Sequence, residues 1–312
     1  MIRPAHPQPL RDSQRRRISY LRLSVTDRCN LRCRYCRPAA GLHHAPAPDL
    51  LSPAELLTLA RVAVSLGIRK IRITGGEPLL RPDLVALAQR LHALPGLDRL
   101  VLTTNGTRLA AMAGDLRRAG VDGVNISIDS LDPQRFAAVT GGGSLAACLA
   151  GIDAALEAGF TTKLNVVLMA GVNEDEIERF ADLARRRPVA VRFIEHMPVG
   201  GAPAGPGLTV PAARVLDRLS RLGSLNPDDA ADAGPPVGPA RMYRLEGAPG
   251  PVGVIAGVSC RFCADCTRIR VTATGRARGC LFRDGTGDLR RQLRRGGETA
   301  RVAARVALVA GT

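Results

Sequence analysis

Short apolar runs alternate with longer helical patterns through the first two thirds of the chain. Between Tyr20 and Glu195, β-rich runs predict strands at residues 20–26, 70–74, 100–103, 123–128, 162–168 and 189–195. The stretches between them place apolar residues at helical spacing, at residues 53–66, 84–92, 108–119 and 174–185. Ser52-Pro53-Ala54-Glu55 has the pattern of a capping box, so we expect a helix to begin there.

Repeated β/α units predict parallel strands joined by right-handed crossovers. The sheet of such a chain closes as a barrel or remains a doubly wound open sheet, and both bind ligands at the C-terminal ends of the strands. Chemically distinctive residues follow the predicted strands, namely Cys29, Gly75-Gly76-Glu77, Asn105, Asp129 and Met197. We therefore expect these residues to form one site.

The pattern changes after Pro198. Residues 200–207 and 228–239 are rich in Gly, Pro, Ala and Asp, which is typical of loops. A β-like run at 267–272 and a helical pattern from Asp288 follow. We therefore predict a first domain at residues 1–200 and a smaller second one at 201–312.

Composition is that of an ordinary globular protein, with 312 residues and 46% hydrophobic content. No apolar run is long enough to span a membrane and no secretory signal is visible, so we expect a cytoplasmic protein. The net charge of +16 comes from 42 arginines and only two lysines, Lys70 and Lys163. Most of these arginines fit solvated surface positions, and the excess charge also suits an anionic small substrate.

Six of the eight cysteines form two sets of three, Cys29, Cys33 and Cys36 near the start and Cys263, Cys266 and Cys280 near the end. In the cytoplasm such sets predict metal ligands rather than disulfides. Each set is one thiolate short of a closed zinc site, whereas an iron–sulfur cluster with three thiolates keeps one iron free for another ligand. Zinc remains an alternative, above all for the second set. Cys148 fits a helix core, and Cys260 is an alternative ligand.

The first cysteine set and the segment Gly75-Gly76-Glu77-Pro78 resemble the signatures of the radical S-adenosylmethionine (SAM) enzymes. Residues 21–30, 191–198 and 262–270, followed by Cys280-Leu281-Phe282, are similar to the GTP 3′,8-cyclase family (MoaA) of molybdenum cofactor biosynthesis. The resemblance covers roughly residues 12 to 295. It implies an α/β fold, a partial (β/α)6 TIM-type barrel of the radical SAM type with a smaller C-terminal region that carries a second iron–sulfur cluster and completes the barrel opening.

The resemblance also implies the site residues and cofactors. Two [4Fe–4S] clusters would be held, the first by Cys29, Cys33 and Cys36 and the second by Cys263, Cys266 and Cys280. SAM would contact Tyr35, Gly76, Ser127 and Met197. The substrate GTP would contact Arg22, Arg72, Thr103, Lys163, Arg192, Arg268 and Arg270, with Lys70 as an accessory cation.

The reaction implied by the family converts GTP to (8S)-3′,8-cyclo-7,8-dihydroguanosine 5′-triphosphate, the first step of molybdopterin biosynthesis. One electron from the first cluster cleaves SAM to a 5′-deoxyadenosyl radical, which takes hydrogen from C3′ of the ribose. The C3′ radical then attacks C8 of guanine. We expect as partners GTP, an electron donor and a next enzyme that receives the product, with neither membrane nor nucleic acid involved. A homodimer is left open.

Three positions depart from the family pattern. Arg37 stands in place of a usual Met, Thr267 in place of Asn, and the chain ends Ala310-Gly311-Thr312 instead of in a double glycine. Two alternatives therefore stay open within the superfamily: a divergent paralogue, and another radical SAM enzyme with an auxiliary cluster, such as a peptide-modifying maturase. A third is a zinc protein that binds nucleic acid, although it lacks aromatic residues interleaved with the arginines.

Overall fold

A computed structural model describes residues 10–36, 44–199, 207–228, 238–260, 262–282, 287–295 and 306. Its strands form one sheet of 12 in the order β12-β11-β10-β1-β2-β3-β4-β5-β6-β9-β8-β7. Strands β1 to β6 are parallel and lie in chain order. A doubly wound sheet reverses its strand order at a switch point. The unbroken order is therefore that of a partial barrel, which confirms the predicted fold class.

The barrel part consists of β1 to β6 and the helices that follow them. Its strands are β1 (Tyr20–Ser24), β2 (Lys70–Thr74), β3 (Arg99–Thr104), β4 (Gly123–Ser127), β5 (Thr161–Leu168) and β6 (Ala190–Glu195). Its helices are α1 (Pro53–Ser65), α2 (Leu84–His92), α3 (Ala113–Arg118), α4 (Pro133–Thr140), α5 (Leu145–Glu157) and α6 (Ile177–Arg186). Strand prediction was therefore close throughout.

The two faces of the sheet differ in polarity. Alternate strand residues such as Leu21, Leu23, Ile71 and Ile73 are almost completely buried and belong to the hydrophobic core that includes the helices. Their neighbours on the same strands, for example Arg22, point to the opposite, concave face. The fold is therefore stabilised from its outer face, and its inner face is left free to carry charge.

The C-terminal part adds strands at both edges of the barrel sheet. It contains α7 (Ala212–Ser220), β7 (Leu225–Pro227), β8 (Arg241–Leu245), β9 (Val252–Ile255), β10 (Arg268–Val271), β11 (Arg276–Arg278), β12 (Gly287–Asp288) and α8 (Leu289–Arg294). Strand β9 pairs in parallel with β6, and β10 pairs in parallel with β1. The chain between Ile255 and Arg268 therefore passes from one edge to the other. We call residues 256–267 the crossing segment.

Two predicted helices begin later than expected. The helix predicted at 108–119 starts only at Ala113, because residues 106–112 form tight turns in which Leu109 and Met112 donate backbone hydrogen bonds three residues back. The helix predicted from Glu174 opens with the 3₁₀ turn Glu174–Glu176 before α6. Both shifts lie at N-terminal helix ends, where turn chemistry competes with the α-helical pattern.

Within the described ranges no single helix has both the length and the apolar character to cross a bilayer. Helices α4 and α5, which meet at 97°, would meet that test only when taken together. In α5, Cys148 is completely buried, as its helical pattern predicts, and burial raises the pKa of its thiol to about 12. This cysteine is a core residue.

The capping box predicted at Ser52 is confirmed. Its hydroxyl accepts a hydrogen bond from the Glu55 backbone N–H at 3.2 Å, and the Glu55 carboxylate accepts one from the Ser52 N–H at 2.7 Å. Glu55 also pairs with Arg294 of α8 at 2.8 Å. The start of α1 is therefore bound both to its own first turn and to α8.

Ser52→Ala should lower the free energy of unfolding by about 1 kcal/mol, because it removes the side-chain acceptor at the helix start. Anaerobic urea denaturation followed by circular dichroism measures the change. Ser65→Ala, at the other end of the same helix, is the matched control and should stay within about 0.5 kcal/mol of the parent chain. Equal losses in the two variants would contradict a role for the cap.

Candidate active site

The first cysteine set converges on one cavity beyond the C-terminal end of β1. Cys29, Cys33 and Cys36 line a cavity of about 320 Å³ together with Gly75 and Gly76. The backbone N–H of Cys36 donates to the carbonyl of Cys33 at 3.0 Å, so the last two ligands share a tight turn. All three thiols are free of disulfides. The structure thus brings the three cysteines next to Gly75 and Gly76.

Gly75 and Gly76 pack against the backbone of the cysteine loop. Gly76 donates to the Thr26 carbonyl at 2.7 Å, and Glu77 donates to the Arg28 carbonyl at 2.7 Å. A Cβ atom on Gly76 would lie 2.1 Å from the Arg28 carbonyl oxygen, and one on Gly75 would lie 2.7 Å from that of Thr26. Both distances are too short for any side chain. Glycine is therefore required to seat the loop.

The Glu77 side chain binds the end of β2 to the end of β3. Its side chain is 1% exposed and accepts hydrogen bonds from the Thr104 hydroxyl and the Asn105 N–H, both at 2.7 Å. Burial raises the pKa of this carboxyl, and the hydrogen bonds that it accepts oppose the shift. Asn105, which the sequence pattern placed at the site, donates in turn to Asn30 of the cysteine loop at 2.9 Å. The ends of β2 and β3 are thus linked to the cysteine loop.

Tyr35 is held by a buried carboxylate to which the sequence pattern assigns no particular role. Its hydroxyl donates to Asp129 at 2.8 Å, and Asp129 also accepts from the Val167 N–H at 2.9 Å. Burial raises the pKa of Asp129 to about 6, and burial followed by the Asp129 charge raises that of Tyr35. In the sequence, the position of Asp129 just after β4 was the feature that could have indicated this role.

A second cavity, of about 360 Å³, lies along the concave face, and we call it the inner cavity. Its described lining includes nine cationic side chains and no Asp or Glu. Every predicted substrate residue lines it: Arg22, Arg72, Thr103, Lys163, Arg192, Arg268 and Arg270. Lys70 lines it as well. An arrangement with so many cations and no carboxylate is suited to a polyanion.

Three of the arginines stand side by side on neighbouring strands. Arg22 is in register with Arg270 of β10 on one side and with Arg72 of β2 on the other. Adjacent strands are only about 4.8 Å apart, so the guanidinium groups repel one another unless an anion lies between them. Burial, together with the charges of Arg72 and Arg270, lowers the pKa of Arg22 to about 10 against the opposing effect of Tyr20. Two nitrogens of Arg270 are buried without a hydrogen-bond acceptor among the described residues.

Sequence reasoning missed Tyr20 and the two asparagines of the inner cavity, Asn125 and Asn165. Tyr20 accepts a hydrogen bond from Arg72, whose other branch donates to Thr103 at 3.0 Å. An aromatic residue at the start of an alternating strand looks like core, so no signal in the sequence marked it. Its position in the inner cavity follows from strand pairing, which sets Tyr20 in register with Lys70 on β2.

The second cysteine set lines the inner cavity at the end opposite the first set. Cys263 and Cys266 lie in the crossing segment just before β10, and Cys280 follows the antiparallel strand β11 back to the same end. Burial raises the pKa of Cys266, but Arg268 and Arg270 outweigh it, so the pKa lies below its usual value. A lowered thiol pKa favours the thiolate that binds metal. Basic side chains thus separate the two cysteine sets.

Glu195 fixes the start of the crossing segment, a role that the sequence pattern does not indicate. It is 3% exposed, and accepts from the N–H groups of Val258 at 2.7 Å, Ser259 at 2.8 Å and Ala212 at 2.8 Å, as well as from the Ser259 hydroxyl. Burial raises the pKa of Glu195, but these hydrogen bonds outweigh it and place the pKa below its usual value. A single carboxylate therefore joins β6, α7 and the crossing segment.

The remaining predicted residues lie near these two cavities. Met197 lines the inner cavity and packs on Gly257, where a Cβ would lie 2.3 Å from the Met197 sulfur. Ser127 ends β4 in register with Asn165 of the inner cavity, but does not itself line either cavity. Thr267 accepts backbone hydrogen bonds from Ser19 and Tyr20 at 3.1 Å through its carbonyl. Arg37 and the terminal residues 310–312 lie outside the described residues.

The chemistry of both cysteine sets fits iron–sulfur clusters. Each offers three soft thiol ligands on a cavity wall, next to glycine backbone in one case and to arginines in the other. No three His, Cys, Asp or Glu side chains in the described part of the chain are placed to share one metal ion. A cluster has several irons, so its thiolates stand further apart than the ligands of a single ion.

Two consecutive segments of the chain match known protein families. Residues 23–184 match the Radical SAM superfamily, and residues 189–310 match Molybdenum Cofactor Synthesis C. The first match includes β2 to β5 and the first cysteine set, and the second includes the crossing segment. The chain is therefore a radical SAM enzyme.

Curated relatives define the family more narrowly. A GTP 3′,8-cyclase from Geobacter sulfurreducens is 52% identical over 280 residues, which cover 89% of this chain and 85% of the relative. One from Moorella thermoacetica is 47% identical over 297 residues, covering 95% of this chain and 91% of the relative. The chain belongs to the GTP 3′,8-cyclase family.

Solved structures agree in fold. Streptococcus suis SuiB bound to the precursor peptide SuiA superposes with a TM-score of 0.61 at 12% identity, over 88% of this chain and 64% of SuiB. SuiB bound to S-adenosylmethionine gives 0.59 at 13% identity, over 84% of this chain and 60% of SuiB. At such low identity the likeness shows the shared fold alone.

Gly76→Ala should prevent the cysteine loop from seating, because the added methyl group would overlap the Arg28 carbonyl oxygen. The expected result is loss of iron from the first site after anaerobic reconstitution with iron and sulfide, measured by iron and sulfide content. Gly114→Ala is the matched control: Gly114 lies within helix α3, and its added methyl meets only the end of Arg118 at 3.4 Å. Normal iron content in Gly76→Ala would contradict this role.

Glu195→Gln should loosen the crossing segment, because an amide cannot accept all four hydrogen bonds that the carboxylate accepts. Iron content should fall towards half, with the first site retained, as electron paramagnetic resonance of the reduced protein can show. Glu246→Gln, an exposed position between β8 and β9, should keep full iron content. Equal loss from both sites would instead indicate general unfolding.

Proposed function

We propose that this chain converts GTP to (8S)-3′,8-cyclo-7,8-dihydroguanosine 5′-triphosphate, the first step of molybdenum cofactor biosynthesis. The observation that carries the proposal is the inner cavity, whose cations lie between two sets of three thiols. Radical SAM enzymes bind SAM at an iron of a [4Fe–4S] cluster. The second incomplete set then offers a second cluster with an iron free for the substrate.

The triphosphate is best accommodated by the row Arg270, Arg22 and Arg72. Its negative charges reduce the repulsion between these guanidinium groups. Each guanidinium group can also donate two parallel hydrogen bonds to phosphate oxygens. Lys163, in register with Asn125 of β4 and Ala190 of β6, adds a compact charge on the facing strands. Arg192 and Arg268 complete the set around the cavity.

The guanine base would then lie towards Cys263, Cys266 and Cys280, and the ribose towards the first cysteine set. SAM would contact Tyr35, Gly76, Ser127 and Met197 near the ends of the strands. Ser24 lies on β1 two residues beyond Arg22 and lines the cavity of the first set. Strand residues two apart are separated by about 7 Å, so the two cavities are consecutive along the concave face.

When bound, a first cluster held by Cys29, Cys33 and Cys36, together with SAM, would supply the radical chemistry needed to activate C3′ of the ribose. The chain itself contributes orientation: cations fix the triphosphate at one point, and the second set fixes the base at another. The ribose held between them has little freedom, which favours attack at C8 over side reactions. Residues of the sheet and of the crossing segment line the cavity, which limits the access of water to the reacting atoms.

The proposal includes a division of the chain near residue 200, with a barrel part at 1–200 and an auxiliary-cluster part at 201–312 that completes the barrel opening. It also includes an external electron donor, a next enzyme that takes the product, and a cytoplasmic location. Of the two other radical SAM interpretations, the maturase does not account for the curated relatives, which are GTP 3′,8-cyclases. The divergent paralogue is distinguished by the GTP assay. A zinc protein that binds nucleic acid has no support in the curated relatives.

Cys33→Ala and Cys263→Ala should each abolish cyclisation of GTP, because each removes one of the three ligands of a cluster. The assay is anaerobic incubation of the reconstituted protein with SAM, a reductant and GTP, followed by chromatography of 5′-deoxyadenosine and of the cyclised nucleotide. Cys263→Ala should still cleave some SAM, since its first site is intact, whereas Cys33→Ala should not.

Cys148→Ala and Cys260→Ala are the matched controls, because one thiol is buried in α5 and the other bonds Arg241 at 3.1 Å outside both sets. Both controls should retain cyclisation. A Cys263→Ala variant that still forms the cyclised nucleotide would disprove the role of the second set, and a parent protein that cleaves SAM without consuming GTP would disprove the proposed substrate.

A further inference from the structure

Tyr20 is a buried phenol on a surface otherwise formed by cations. It is 5% exposed and lines the inner cavity from the first position of β1. Lys70 lies with its Nζ 5.1 Å from the centre of the tyrosine ring, and Arg72 with its Cζ 5.7 Å from it. The Nε of Arg72 donates a hydrogen bond to the Tyr20 hydroxyl. The ring and the hydroxyl thus both face positive charge.

The strands on both sides of Tyr20 present further cations. Arg268 of β10 is its register partner, Lys70 is its partner on β2, and Arg22 follows two residues later on its own strand. Arg270 stands beside Arg22. Because the described lining of the cavity holds no Asp or Glu, the groups there that can become negative are this phenol and the cysteine thiols. Tyr20 lies beside Arg268 and Lys70, next to the row formed by Arg270, Arg22 and Arg72.

We propose that Tyr20 is a positioning residue for the triphosphate site: its hydroxyl orients Arg72 in the empty enzyme, and the fraction of the hydroxyl that is ionised there takes up a proton when the triphosphate binds. The proposal rests on the proposed function, since it requires that the row of arginines binds the triphosphate. The proton comes from solvent and converts phenolate to phenol, with no other bond made or broken.

Charge accounts for the direction of the coupling. Burial raises the pKa of Tyr20, but the charges of Arg72, Arg22 and Lys70 outweigh it and lower the pKa to about 8. A bound triphosphate neutralises those same charges, so the pKa of the phenol rises again. Affinity is therefore highest below the pKa of the free enzyme, where the phenol is neutral, and falls as the pH rises through it.

Binding of inorganic triphosphate to the reconstituted holoenzyme tests the coupling by anaerobic calorimetry. This probe avoids the titration of guanine itself. For the parent protein we expect affinity to fall about tenfold between about pH 7 and about pH 9 beyond the effect of buffer and salt. Tyr20→Phe should lose most of this pH dependence. It should also bind a few-fold more weakly at about pH 7, because Arg72 keeps Thr103 alone as its hydroxyl partner.

Tyr243→Phe is the matched control. Tyr243 lies half-buried on β8, paired with Val252 of β9, and lines neither cavity. This variant should behave as the parent does at both pH values. In the parent and in Tyr243→Phe, addition of triphosphate at about pH 8 should reduce the near-ultraviolet absorbance of tyrosinate. The chain has no tryptophan and three tyrosines, so the difference spectrum is simple to assign.

Retention of the full pH dependence in Tyr20→Phe would overturn the proposal while leaving the triphosphate site, and hence the proposed function, in place. A parent protein that binds triphosphate with no change in tyrosinate absorbance would overturn it in the same way, and this measurement needs no folded variant. Failure of the parent to bind triphosphate at about pH 7 would overturn both, and the independent GTP assay would then also show no cyclised product.

Discussion

Repulsion among the cations on the concave face of the sheet is the constraint on which the rest of the structure depends. Arg270, Arg22 and Arg72 stand in register on adjacent strands, and the described lining of the cavity offers them no carboxylate. Charge repulsion on this face opposes folding, so burial on the opposite face must outweigh it. Leu21, Leu23 and their counterparts bury the convex side under the helices, and that packing holds the charged row in place.

Alternation along the strands is what makes this separation possible. Successive side chains of a strand point to opposite faces of the sheet. Leu21 therefore packs against the helices, whereas the adjacent Arg22 faces the inner cavity. Glu77 and Glu195 are buried carboxylates beside this face, and each is occupied by hydrogen bonds rather than paired with the arginines. The arginines of the inner cavity are therefore not neutralised by these carboxylates and stay available to bind a ligand.

Much of this was visible in the sequence and some of it was not. Period-two strands, the capping box at Ser52 and both cysteine sets follow from local patterns, which is why their positions were predicted closely. Tyr20, Asp129 and Glu195 were not assigned their roles, because these depend on register and on loops that meet from distant parts of the chain. Likewise, the attachment of the C-terminal strands to both edges of the sheet is a tertiary property with no signature in local periodicity.

The crossing segment has a consequence for the order of assembly. Strand β1 meets β10 only after the chain has been made as far as β10, because the paired residues Tyr20 and Arg268 are far apart in sequence. The first cysteine loop, by contrast, bonds to segments that are all made well before β10, namely the end of β2, Asn105, Asp129 and the end of α4. During synthesis the first site can therefore form early, whereas the second site arises with closure of the sheet, a late and slow event for contacts of such long range.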